Sequence, residues 1–282
     1  MKRGQFVSSD RRVIGRICGV LLAGLCVFCE SPADSTSSDT SSSDGSASSD
    51  STAAMPGELT YRLDWDLDGV ELSDSVKLTT DTGYNVTLDA GYLVFYAAQL
   101  VPCSDDTVTV QSPLDWLWQT VAGKTAHAGH SGETDPSAVE QSRIESLTAP
   151  ATIELGSVTV TPGEDGSRYC QSHYLIADTD STTLDRPTDV EMNGSSLYYA
   201  GSWTRADSAD TGTFVIRTNL AWGKIYEAEE LNISGASFEV TLTRALGRSF
   251  DGIEFATDSE ADMAKQFFRS LVANTTVTIV EK

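Results

Sequence analysis

With 41 acidic against 19 basic side chains in 282 residues, the chain carries a formal net charge of −22. A phosphate backbone needs a basic face, so this balance argues against nucleic-acid binding and against an electrostatic grip on anionic lipid. The length allows one large domain or two small ones and does not choose between them.

The start of the chain sets the compartment. Lys2, Arg3, Arg11, Arg12 and Arg16 flank and enter an apolar run, "VIGRICGVLLAGLCVFC", which is too short and too interrupted for a membrane span. Residues 1–29 therefore read as an export signal. "LLAGLC" around Cys26 resembles a bacterial lipobox, although Leu25 stands where a small residue is usual; Cys29 follows Phe28. The expectation is a lipid on Cys26 or Cys29, with plain secretion and then an uncleaved anchor as the alternatives. Residues 30–57, rich in Ser and Asp, have no large apolar side chain before Met55 and predict a disordered tether. This layout predicts the bacterial cell envelope: an outer-membrane lipoprotein facing the periplasm or the surface, or a secreted protein. In that setting the sequons at Asn85, Asn193, Asn232 and Asn274 carry no weight.

Residues 58–282 predict one mainly β domain, an antiparallel β-sandwich with one or two short helices. In "LTYRLDWDLDG", Tyr61, Leu63, Trp65 and Leu67 alternate with Arg62, Asp64, Asp66 and Asp68, the pattern of a half-buried strand. "YNVTLDA" and "GYLVFYAAQLVPC" follow at hairpin spacing. Further strands are read in "ATIELGSVTVTPG", "RYCQSHYLIAD", "SSLYYAGSWTR", "GTFVIRTN", "ASFEVTLTRAL" and "TTVTIVEK". Two stretches have helical signals. "DPSAVEQSRIESL" offers Asp135 as cap, Pro136 at the first turn and Val139, Ile144 and Leu147 as a face. "DSEADMAKQFFRSLV" offers Asp258 or Ser259 as cap and Ala261, Ala264, Phe267, Phe268 and Leu271 as a face. "PLDWLWQTV" fits a short helical turn.

Of five cysteines, Cys18, Cys26 and Cys29 lie in the signal region, leaving Cys103 and Cys170 for the domain. A lone pair in an oxidising compartment is expected to form a disulfide, with paired thiolate metal ligands as the lesser alternative.

Few constellations carry chemistry. Asp64, Asp66, Asp68 and Gly69 imitate the opening of a calcium loop, but position eight is Glu71 and position twelve is Ser75, so a wet strand face explains them better. No G-x-S-x-G elbow is present, and 41 acidic residues give no identifiable glycosidase pair, so no enzyme is expected. Histidine is the informative scarcity. Of three, His127 and His130 share the Gly/Ala segment "KTAHAGHSGETD", and His173 lies in the strand "RYCQSHYLIAD". Two donors on a loop and one on a strand make a reasonable metal site of His127, His130 and His173. Gly129 and Gly132 would let the loop bend, and Glu133 and Asp135 would orient the imidazoles. The competing explanation is a solvated loop pair and an ordinary strand residue.

The exported, tethered β domain with its "AHAGH" segment and "YCQSHY" strand resembles the surface copper-binding proteins of methane-oxidising bacteria, of the MopE and CorA type. A more distant resemblance is to the methanobactin-associated copper-binding proteins. The likeness covers residues 90–255 in general layout, including "LVFYAAQLVPC" and "RSFDGIEF". It implies a β-sandwich holding copper(I) through two histidines, here His173 and one of His127 or His130. The family also has a tryptophan oxidised to kynurenine, in one pattern two residues before a ligand histidine. This chain has Thr125, Ala128 and Gln171 at those places, with Trp116 and Trp118 upstream and Trp203 and Trp222 in later strands. Met192 and Met263 stand apart, unlike a methionine-rich carrier. Two functions follow as expectations: an envelope lipoprotein that sequesters or transfers a metal, copper before zinc, or a structural or interaction module of the cell surface.

Overall fold

A computed structural model describes residues 55–103, 136–161 and 168–282. Within it, Ser51–Lys282 is one compact unit. The expected export signal, Cys26, Cys29, almost all of the expected tether, "PLDWLWQTV", His127 and His130 lie outside the described residues. No helix among the described residues is long and apolar enough to cross a membrane.

The fold is mainly β and sandwich-like, built from two sheets. The smaller has the order β12-β11-β1-β6, from β1 (Gly57–Asp66), β6 (Ile153–Val160), β11 (Ser237–Ala245) and β12 (Thr275–Glu281). The larger has eight strands centred on β4 (Tyr84–Pro102). Around β4 stand β2 (Val70–Leu72), β3 (Val76–Thr79), β5 (Arg143–Ser146), β7 (Arg168–Ile176), β8 (Leu197–Arg205), β9 (Thr211–Thr218) and β10 (Trp222–Asn232). Strand alternation in the sequence decides which side chains enter the core. Leu59, Tyr61, Leu63 and Trp65 of β1 are buried, as are Phe238, Val240 and Leu242 of β11 and Tyr84, Val86, Leu88, Phe95 and Leu100 of β4, in one cluster shared by both sheets. One α-helix, α1 (Glu260–Ala273), lies among the described residues, with a 3-10 turn at Leu246–Arg248. Ser259 caps α1 by accepting from the Asp262 amide. Phe267 and Phe268 meet Tyr199, Phe250 and Trp222. Ala261, read as part of the apolar face, is exposed instead.

Two readings need correction. Residues 136–147, read as helical, are not a helix. Val139 bridges Ala98, and Arg143–Ser146 pairs with β4 as β5. Those residues satisfy the free edge of β4, so sheet pairing overrides a weak helical pattern. "YNVTLDA" and "GYLVFYAAQLVPC" are not a hairpin but one 19-residue strand with a register shift between Leu88 and Ala90. Gly91 serves close approach rather than a turn, because a Cβ there would stand 2.8 Å from the Leu147 Cβ. The antiparallel sandwich contains one parallel pair, β1 with β11, Glu58 opposite Ser237 through Asp66 opposite Ala245.

Candidate metal site

His173 sits in β7, which is paired on both sides: Gln99 of β4 stands opposite it on one side and Ile225 of β10 on the other. Ser172, Tyr174 and Ile176 are buried on one face of β7, while Gln171 and His173 are half-buried on the other, between the buried Tyr169 and Leu175. On that outer face the Gln171 amide donates to the Glu227 carboxylate at 3.0 Å. An imidazole at this position has its backbone held by two neighbouring strands.

The expected disulfide is present: Cys103 and Cys170 are bonded, with Cα atoms 5.0 Å apart. It fastens the residue after β4 to β7, and the Cys103 amide adds a bond to the Arg168 carbonyl at 2.9 Å. The segment bearing His127 and His130 leaves from this staple. It returns at Ser137, whose hydroxyl donates to the Leu100 carbonyl (3.0 Å) and accepts from its amide (3.2 Å). The Tyr61 hydroxyl donates to the Ser137 carbonyl at 2.7 Å. Both stems of the histidine segment are therefore clipped to the half of β4 that pairs with the His173 strand. Of the three candidate ligands, His173 alone is among the described residues; Trp116, Trp118, Glu133 and Asp135 also fall outside them.

Other donors are accounted for. Among the described residues, the one group of three Cys, His, Asp or Glu side chains close enough to share an ion is Cys103, Cys170 and Glu230, with donor atoms within 4.8 Å of one another. In the oxidised protein its sulfurs are bonded to each other, so they are not a thiolate site, and Glu230 pairs with Arg168 at 2.7 Å. The aspartates of "DWDLDG" are occupied locally. Asp64 accepts from the Trp65 amide and the Thr152 hydroxyl, and Asp66 accepts from the Asp68 amide. Gly69, at φ 74°, completes a turn into β2. Met192 is buried beside Val94 and Ile144, and Met263 is buried in α1. Trp203 packs edge-on to Tyr84, and Trp222 stacks on Phe268.

Sequence reasoning missed the most heavily charged feature of the core. Arg244 of β11 and Glu145 of β5 form an ion pair with side-chain exposures of 0% and 1%. The Arg244 guanidinium also donates to the Tyr174 hydroxyl, lies 4.7 Å above that ring, and lies 5.4 Å from the Trp65 ring centre. Burial pushes the Glu145 carboxyl up, against the opposing pull of Arg244. Burial likewise pushes the Tyr174 phenol well up. Sealed from solvent, this cluster joins the two sheets. Its one sequence signal is an arginine at an inward position of "VTLTRAL", where alternation calls for an apolar residue.

No family model, curated protein or solved structure matches the chain.

Proposed function

We propose that this is an exported, membrane-tethered metal-binding protein, preferring copper to zinc, that acts in sequestration or transfer rather than catalysis. His173 is its strand-borne ligand, with His127 and His130 as the loop donors. The observation that carries the reading is the position of His173. It is half-buried on a doubly paired strand, three residues after the disulfide that anchors one stem of the histidine segment. His130 precedes Ser137 by seven residues, a contour of up to about 25 Å for extended chain. Ser137 is fixed to Leu100, next to the Gln99 that faces His173. The loop donors are within reach of the strand donor. Imidazole nitrogen suits copper and zinc alike; the preference for copper comes from the likeness to copper-binding surface proteins.

The test is copper titration of the purified protein against a competing chelator. His173→Ala is expected to weaken binding at least as much as His127→Ala or His130→Ala, because it removes the donor whose position is already fixed. Ligation requires neutral imidazole, so affinity should fall as pH drops through about 6.5. Equal copper affinity in the native protein and in the triple alanine variant would overturn the reading and leave an interaction module of the cell surface.

A further inference from the structure

We propose that Cys103, Cys170 and Glu230 form a second metal site that is closed by the disulfide and opened by its reduction. It is independent of the histidine site. His173 lies three residues beyond Cys170 on an extended strand, hence on the opposite face and about 10 Å along.

Three adjacent strands supply the donors. Cys103 directly follows β4, Cys170 is in β7 and Glu230 is in β10, the order in which these strands pair. The approach of Glu230 follows from an irregularity in β10. Glu227 pairs with Gln171 and Leu231 with Tyr169, so β10 runs four residues where β7 runs two. Extra backbone of this kind redirects side chains, and here it accompanies the Glu230 carboxylate lying within 4.8 Å of both sulfurs. Two thiolates bound tetrahedrally at about 2.3 Å stand about 3.8 Å apart, with an oxygen ligand slightly closer. From the bonded geometry the sulfurs must part to about that distance after reduction, and the Glu230 carboxylate already lies within 4.8 Å of each.

Access and charge also fit. Both cysteines are half-buried, and the Glu230 side chain is 56% exposed in an ion pair with Arg168, itself 42% exposed. Arg168 engages both carboxylate oxygens of Glu230, at 2.7 and 3.3 Å, so a cation must compete with a two-point but solvent-exposed ion pair, while Arg168 favours thiolate once the bond is cut. The chemistry balances with a dithiol reductant. It delivers two electrons to the sulfur–sulfur bond, two protein thiols form, and the reductant becomes a disulfide. A soft cation such as Zn2+ or Cu+ then displaces the two thiol protons and binds two thiolates and one carboxylate. The fourth tetrahedral position is left to water or to a donor from a partner, an arrangement suited to handing the ion on.

The test uses the full chain carrying Cys18→Ser, Cys26→Ser, Cys29→Ser and the three histidine-to-alanine changes, with Co2+ as the probe. After reduction and anaerobic removal of the reductant, one Co2+ per chain is expected, with thiolate-to-cobalt charge-transfer absorption. The oxidised form should show none. Glu230→Gln should lower the affinity of the reduced form at least about tenfold, and Cys170→Ser should abolish the band. A reduced protein with two free thiols and no band would overturn the proposal. So would a band whose affinity is unchanged by Glu230→Gln, since thiols in an unfolded chain would bind without that carboxylate.

Discussion

Removing Arg244 should test how the two sheets are held in register. Its guanidinium donates to Glu145 and to the Tyr174 hydroxyl with no solvent contact. Arg244→Met leaves Glu145 buried without its partner, and removing one member of a buried pair costs about 3–5 kcal/mol. In a domain of roughly 150–250 residues each kcal/mol shifts Tm by about 2–4 °C, so the fall should be about 6–20 °C. Glu145→Leu alone strands the guanidinium and should cost a similar amount. The double variant, with no buried charge left, should recover most of the loss. Urea unfolding followed by circular dichroism, and by tryptophan fluorescence because Trp65 lies under Arg244, gives all four corners of the cycle. Single losses that simply add in the double variant, or that each stay below about 1 kcal/mol, would refute the view that this pair joins the sheets.

Three further outcomes follow from particular contacts. The Tyr92 phenol is pushed up to about 12 by burial and then by its bond to, and the charge of, Asp189. The folded state thus holds that proton more tightly than the unfolded one, and the stability it contributes is full below the ordinary value of 10.0 and is lost as pH rises from there toward 12; in an ultraviolet pH titration, Asp189→Asn should bring the Tyr92 midpoint down. Gly201→Ala should destabilise by about 2–3 kcal/mol in urea unfolding, because its Cβ would stand 2.0 Å from the Thr87 carbonyl oxygen across the sheet. Ser259→Ala should cost about 1 kcal/mol by the same measurement, since it removes the acceptor for the Asp262 amide at the start of α1.

The sequence by itself determined what depends on near neighbours along the chain. The alternation of Tyr61, Leu63 and Trp65 with Arg62 and Asp64 settles the faces of β1 before any partner is known, because successive side chains on a strand point to opposite sides. The cap at Ser259 and the spacing of Ala264, Phe267, Phe268 and Leu271 mark α1 in the same local way. The Cys103–Cys170 bond followed from there being two cysteines beyond residue 29. What only the tertiary structure decided are matters of long-range pairing. Residues 135–147 look helical until the edge of β4 claims Val139 and Arg143–Ser146. "YNVTLDA" and "GYLVFYAAQLVPC" look like the two arms of a hairpin until Gly91, packed against Leu147, proves to lie inside one strand. The parallel match of β1 with β11 joins stretches about 180 residues apart, for which no local pattern exists. Arg244 belongs to the same class: a charge at an inward position is an anomaly in one strand and becomes intelligible when Glu145, 99 residues away, arrives from the opposite sheet. For the candidate metal site, scarcity of histidine singled out His173. Its doubly paired strand and the anchoring of Cys103 and Ser137 come from the sheet, because hydrogen bonds between distant strands bring those backbones together.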